Sequence, residues 1–367
     1  MIADVLIVGA GIIGAACADA LAAQGLRVHI VDARLAAATN AGMGHLLILD
    51  ENPAELALSN RSMQLWRRWQ PELDDACAWT SCGTIWIAAN GAEAALARHK
   101  QGTLAAAGIA SEWLDAPTLA RTEPALRTGL AGGLRVPSDA AVYAPRVASW
   151  LLARHPGRIT LTSARVTHLN DDASVQSSAG RLQAGQVLLA AGLGSAALCP
   201  ELPIFAKKGH LVITDRYPRQ VHHQLVELGY MASAHQAEGD SVAVNIQPRP
   251  TGQLLIGSTR QFGREDTEVD PSLVARLLRA AMQTLPGLAG ARAIRTWAGL
   301  RPATSDGLPL IGRHPGRERL WIAAGHEGHG VTTAPATAEL IAALMTGSAP
   351  TLDATPYRPQ RLLLSRS

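Results

Sequence analysis

The apolar run Val5-Leu-Ile-Val8 leads straight into Gly9-Ala10-Gly11-Ile12-Ile13-Gly14 and then into an alanine-rich stretch that reaches Ala23. No other feature constrains the fold as tightly. A short continuous apolar run is a buried strand, and the alanine-rich stretch reads as a helix closed by Gly25. Arg27 to Val31 is a second β-branched run and ends at the acid Asp32, 18 positions beyond Gly14. Two buried strands joined by a helix make a right-handed βαβ unit on a parallel sheet. Between them Gly9 permits the tight turn, Gly11 lets a pyrophosphate approach the backbone, and Gly14 lets helix and strand pack closely. The helix start offers unpaired N–H groups and a positive dipole end to phosphates, while Asp32 can accept from ribose hydroxyls. The pattern predicts an adenine dinucleotide site; the alternative is a merely structural glycine turn. Spacing leaves NAD and FAD both open.

The rest of the chain alternates between helix and strand signals. Asn52-Pro53-Ala54-Glu55 reads as a helix start, with Asn52 as cap, Pro53 at the first position and Glu55 closing a capping box. Leu58, Ser62, Leu65, Trp66 and Trp69 would line its inner face. Thr84 to Ala88 reads as a strand, and Ala92 to Ala107 as a helix stopped by Gly108. Leu130 to Gln186 is mostly strand and turn, with a helix from Arg146 to Ala153. A second strand-rich region runs from Gly209 to Ser258. Asp270-Pro271 then opens a helix with Val274, Leu277, Leu278 and Ala281 at helical spacing. The last third returns to a strand (Leu320 to Ala324), a glycine cluster (Gly325 to Gly330) and a helix from Val331 to Thr346 capped by Gly347. With no internal repeat, 367 residues suit two domains interleaved along the chain.

Composition excludes several classes. Hydrophobic residues at 47% and charged residues at 17% fit a folded, interior-rich protein. Lys+Arg 33 against Asp+Glu 30, with no long basic stripe, gives no footprint for nucleic acid. No apolar stretch reaches the roughly 18 residues of a membrane span. Cys17, Cys77, Cys82 and Cys199 form no C-x-x-C, so neither an iron–sulfur cluster nor a structural zinc is readable. A soluble, reduced, cytoplasmic chain is expected. His326 and His329 flank Glu327 in a glycine-rich turn without a third ligand, so no metal is expected. Ser195 belongs to no G-x-S-x-G elbow and reads as part of a turn beside the cofactor.

Further blocks follow along the chain: Thr39-Asn-Ala-Gly-Met-Gly44, Leu188-Leu-Ala-Ala-Gly192, Gly299-Leu-Arg-Pro-Ala-Thr-Ser-Asp306, Pro309-Leu-Ile-Gly312, and Ala324-Gly-His326 before Gly330. Together with the N-terminal fingerprint, in this order, the chain resembles the D-amino-acid oxidase superfamily of FAD-dependent amine oxidoreductases. Glycine oxidase, sarcosine oxidase and D-amino-acid dehydrogenases belong to it. Lys208 to Thr214, Val226 to Tyr230 and Asn245 to Arg249 look most like the FAD-bearing β subunits of D-hydroxyproline dehydrogenases and opine oxidases.

The resemblance implies a mixed α/β fold: a Rossmann-like FAD-binding domain of glutathione-reductase type and an interleaved antiparallel-sheet substrate domain. The expected bounds are 1–82, 143–200 and 297–367 for the first, and 83–142 and 201–296 for the second. It places Gly9, Gly11, Ile13, Gly14, Asp32 and Ala33 on the dinucleotide, and Thr39, Asn40, Ala41, Gly42 and Met43 beside the flavin and pyrophosphate. Val166 falls at the adenine. Ala191 and Gly192 line the cofactor, and Gly328, His329, Gly330, Val331 and Thr332 form a helix N-terminus facing the flavin C2 carbonyl. The flavin would be noncovalent.

By the same resemblance Arg301 grips the substrate carboxylate; otherwise it is a surface arginine. Asp306 is expected to tie the turn into Gly307. Asn245 and Gln247 share one side of a strand, lining the pocket or facing solvent. Tyr143 stands where many relatives carry an acid before proline and, like Asn245, is a candidate catalytic residue of the pocket wall, otherwise solvent-facing; Gly328 stands near a second basic group of glycine-oxidase-like relatives. The implied activity is dehydrogenation of a small amino or imino acid, D-hydroxyproline-like, with electrons passed to partner subunits of a hetero-oligomer. The alternatives are an oxidase using dioxygen and a non-catalytic dinucleotide-binding module.

Overall fold

A computed structural model describes residues 2–35, 37–218, 220–228 and 239–363. Gly229 and Tyr230, the end of one resemblance block, lie outside the described residues. Strand β1 (Ala3–Val8) enters helix α1 (Ile12–Ala23), which returns into β2 (Val28–Asp32). A one-turn helix (Ala38–Ala41), β3 (His45–Leu46) and helix α2 (Pro53–Trp69) follow. Next come β4 (Thr84–Ala88), α3 (Gly91–Ala106), β5 (Glu112–Asp115), β6 (Gly132–Val136) and β7 (Ala140–Ala141). Helix α4 (Ala144–Ala153) leads to β8 (Ile159–Ser163), β9 (Val166–Leu169), β10 (Ser174–Ser177) and β11 (Gly180–Leu189). Then β12 (Phe205–Arg216), β13 (Gln224–Glu227), β14 (Ser241–Pro248) and β15 (Gln253–Phe262) precede helix α5 (Pro271–Thr284). The chain closes through β16 (Ala293–Ala303), β17 (Leu310–Arg313), β18 (Leu320–Ala324) and helix α6 (Gly330–Thr346).

Two large sheets result. The first runs β17-β18-β11-β1-β2-β8, with β10 and β9 attached to β11. Its centre is parallel: β1 pairs with β2 and β11, β2 with β8, and β11 with β18. Helices α1, α2, α4 and α6 bury Ala15, Leu21, Leu58, Trp66, Val147 and Ile341 against one face. The near-continuous apolar strands are what such two-sided burial demands. The second sheet runs β16-β12-β15-β14-β13-β4-β6-β5. It is antiparallel apart from β13 and β4, which pair in parallel because β4 arrives from an earlier stretch of the chain. Its strands come from residues 84–136 and 205–303, so the expected bound at 296/297 falls inside β16.

Several local signals act as read. Asn52 accepts from the Glu55 N–H at 2.9 Å, and Asp270 accepts from the N–H groups of Ser272 and Leu273. The capping box is only half made, because the Glu55 carboxylate turns away to His329. The tryptophans are less scattered than their spacing suggests: Trp66 packs on Trp69 and Trp79, and Trp69 on Trp150. All four cysteines are free thiols, and no described helix is long and apolar enough to cross a membrane.

Asp139, 1% exposed between β6 and β7, links the two sheets' connections. Its Oδ1 accepts from the Ile48 N–H at 3.3 Å, and its Oδ2 is buried without a partner. Burial pushes its carboxyl up to about 7, partly opposed by the Thr84 hydroxyl and the Ile48 N–H. A carboxyl raised on folding contributes stability below its unfolded pKa and loses it as pH rises through the folded value. Between pH 5 and 8 the protein should therefore lose about 2–3 kcal/mol, a few degrees of Tm. Asp139→Asn should flatten that slope. Parallel slopes in thermal melts of both proteins would exclude Asp139 as its source.

Candidate active site

The carboxyl ends of β1, β2 and β11 open into one cavity of about 650 Å³. Open parallel sheets bind ligands at this edge, and the volume suits a cofactor site. The turn into α1 is shaped by its glycines. Gly9 takes φ 109, and a Cβ there would lie 2.5 Å from the Ala190 oxygen. A Cβ on Gly14 would lie 2.0 Å from the Gly9 oxygen, so α1 rests directly on the turn. The Asp32 carboxylate accepts from Ala10 N–H at 2.7 Å and Arg34 N–H at 2.6 Å, bracing the loop from the end of β2. The Thr39 hydroxyl accepts from the Ile12 N–H at 3.0 Å, and Ala41 O from Trp297 Nε1 at 3.0 Å. The one-turn helix is thus strapped between α1 and β16.

All of the expected dinucleotide and flavin residues line this cavity except Gly14, which acts by packing behind the turn. Arg301 and Asn245 line it too. Arg301 is no simple surface residue. Its Nη1 donates to Thr259 O at 3.1 Å and its Nη2 to Ser258 Oγ, which fixes the guanidinium against β15. It lies flat along the backbone of Gly209, where a Cβ would come within 2.4 Å of Nη2. Asn245 is 9% exposed and Gln247 fully buried, so neither faces solvent. Only Asn245 reaches the cavity; Gln247 donates to Gln224 Oε1 and accepts from Arg249. Tyr143 is 46% exposed at the start of α4 and is not among the lining residues. Ser195 is buried behind the Gly192–Gly194 turn, also outside the lining.

The cavity adds residues the motifs did not single out. Trp86, Leu211, Val226 and Trp297 supply apolar wall, and Arg260 and Glu327 supply charge. Arg260 follows no local pattern and is brought in by β15, whereas Glu327 sits in the glycine-rich turn before α6. Glu327 Oε2 meets Lys207 Nζ at 3.0 Å. Burial opposes its charge, but Lys207 and His329 hold it below the usual carboxylate range. His326 is pushed down to about 3 by burial and bonds Thr337 Oγ1 at 3.0 Å. It is buried in the turn, and both it and His329 border the cavity. Asp306 accepts from the Leu308 N–H and from both Nε and Nη2 of Arg361, fixing the turn and the C-terminal segment.

Outside the cavity, Cys199, Glu201 and His314 bring ligand-type atoms within 4.8 Å of one another. His314 Nδ1 accepts from the Gly316 N–H at 3.2 Å, and its Nε2 lies 3.1 Å from Glu201 Oε1.

The glycine turn, the braced start of α1 and the acid ending β2 suit the cavity to a dinucleotide, and Arg301 adds a fixed cation to its lining. Residues 4–344 match the FAD dependent oxidoreductase (DAO) family, and the chain belongs to that family. It is 30% identical to the glycine oxidase of Pseudomonas aeruginosa, over 97% of this chain and 98% of that one. It is 27% identical to the hydrogen cyanide synthase subunit HcnC of the same organism, over 98% and 96%. Among solved structures, glycine oxidase from Geobacillus kaustophilus superposes with TM-score 0.88 at 28% identity, covering 98% of each chain. The protein is an FAD-dependent oxidoreductase.

Proposed function

We propose that the protein oxidises a small α-amino acid of the glycine or sarcosine kind, with dioxygen as electron acceptor and FAD held noncovalently. The reading is carried by Arg301, a planar cation fixed on β15 and turned into the same cavity as the dinucleotide turn. A guanidinium in that place binds a carboxylate through two parallel hydrogen bonds and so sets the direction of the substrate Cα–H. A non-catalytic binding module has no use for such a clamp. FAD, when bound, supplies the hydride acceptor at N5, and dioxygen restores it with release of hydrogen peroxide.

The chain's own residues position and enclose. Met43, Leu211, Val226 and Trp297 narrow the space around the substrate end and exclude water. The amine sheds its proton on binding, since an amine near its own pKa needs no dedicated base. The turn at Gly9 and Gly11 and the start of α6 would hold FAD to take up the Cα hydride, and water would convert the imine product to an oxo acid and ammonia or amine. Glycine oxidase relatives along nearly the full chain support this reading.

A second reading is a D-hydroxyproline-like dehydrogenase passing electrons to partner subunits. The Lys208, Val226 and Asn245 blocks and the likeness to a protein named as a synthase subunit favour it.

The test exposes purified holoenzyme to glycine, sarcosine, D-alanine, L-proline and D-hydroxyproline with and without oxygen. Hydrogen peroxide formed mole for mole with substrate is expected. Anaerobic bleaching that air does not reverse would instead establish the dehydrogenase. Failure of every amine to bleach the flavin would remove both readings.

A further inference from the structure

His329 is the N-cap of α6, where the helix dipole disfavours a cation, yet acids surround it. Its Nδ1 lies 2.9 Å from Oε1 of Glu55 in the first turn of α2, a side chain only 8% exposed. Glu55 forgoes the second half of its capping box to make this contact, and its Oε2 stays buried without a partner. Glu327, two residues before His329, is held at φ 47 and tied to Lys207. Such a backbone geometry at a non-glycine residue persists only where its surroundings fix it. Glu51, just before α2, adds a more distant acid. Burial works against an imidazolium here, but the hydrogen bond and charge of Glu55, with Glu327 and Glu51, raise the His329 pKa.

The other charged or titratable groups facing this turn are each engaged elsewhere. His326 is neutral and bonded to Thr337. Lys207 is paired with Glu327, and Arg260 also acts on Glu327. Arg301 passes the backbone at Gly328, and its guanidinium, held by Ser258 and Thr259, is the group assigned to the substrate carboxylate. The contact joins a buried carboxylate to a half-buried imidazole, a pairing that gains little stability over apolar packing.

We propose that Glu55 holds His329 as an imidazolium at the mouth of α6, where it offsets the negative charge that hydride uptake leaves on N1 and O2 of the flavin. The hydride brings two electrons and one proton, so the ring gains one negative charge; the imidazolium keeps its own proton and acts through space. Glu55 is a positioning residue acting through His329. The inference rests on FAD lying with its pyrimidine edge at α6, but not on which amine is oxidised.

Sulfite tests it, because its addition to flavin N5 places negative charge on the same ring with no amino acid present. In the holoenzyme His329→Gln should raise the Kd, expressed per sulfite dianion, about tenfold at neutral pH. The two-electron reduction potential should fall by the equivalent ~30 mV. In wild type the Kd should rise as pH climbs through the His329 pKa; Glu55→Gln should move that step to lower pH. His329→Lys should restore tight binding and abolish the step. Equal Kd values and pH profiles in wild type and His329→Gln, both retaining FAD, would overturn the proposal. If His329→Gln fails to hold FAD, an unmoved step in the near-isosteric Glu55→Gln would overturn it instead. Loss of all amine oxidation elsewhere would leave these results standing.

Discussion

Arg301→Ala is expected to cut kcat/KM for the amino-acid substrate by roughly 30- to 5,000-fold, or about 2–5 kcal/mol of transition-state stabilisation. The size follows from where the guanidinium sits. Its two contacts to β15 and its flat fit on Gly209 leave it oriented before substrate arrives, so little side-chain entropy is lost on binding. Truncation leaves the substrate carboxylate in an apolar cavity with its strongest partner gone. Arg301→Lys should recover only part of the loss, because a point charge cannot reproduce the two-pronged geometry. Flavin content should stay near wild type, since the turn at Gly9 and the Asp32 brace are built without Arg301. Steady-state kinetics with matched flavin absorbance check the result; an unchanged kcat/KM would remove Arg301 from the substrate site.

The sequence carried the elements whose causes are local. The β1–α1–β2 unit, the Asn52 and Asp270 caps and the strand–turn–helix near the C-terminus depend on residues within a few positions of one another. The arginine clamp was legible only through its block, because its anchors on β15 lie more than 40 positions away. What escaped was set by tertiary pairing. The parallel β13–β4 contact joins segments some 140 residues apart, and no periodicity encodes it. Glu55 reads as the last member of a capping box until α6 brings His329 to it across 274 positions. Gln247 shares a strand face with Asn245 by alternation, but the neighbouring strand β13 brings Gln224 beside it to take its amide. Tyr143 was singled out by alignment with relatives, while the fold makes it the exposed first residue of a helix turn.

Gly14→Ala should yield a protein that purifies without flavin and melts well below wild type. The added methyl would stand 2.0 Å from the Gly9 oxygen and 3.0 Å from its carbonyl carbon, both backbone atoms that cannot rotate away. Helix α1 must therefore lift from the turn. Overpacking of that kind costs about 1–3 kcal/mol or more, and Gly14 is buried beneath an interior already filled by Ala15, Ala16 and Ala18. Lifting α1 also moves the N–H groups that face the phosphates and breaks the Ile12–Thr39 strap, so cofactor affinity falls with stability. Gly11→Val separates the two effects. A Cβ at Gly11 meets only the Thr39 hydroxyl, at 3.2 Å, so the fold should survive while the larger side chain fills the place where the pyrophosphate approaches. The expected pair of results is a stable colourless protein for Gly11→Val and an unstable colourless one for Gly14→Ala, read from visible absorbance and thermal melts. A yellow Gly14→Ala protein with wild-type Tm would mean that α1 does not rest on the glycine turn, and the cofactor would then have to be held from elsewhere in the cavity.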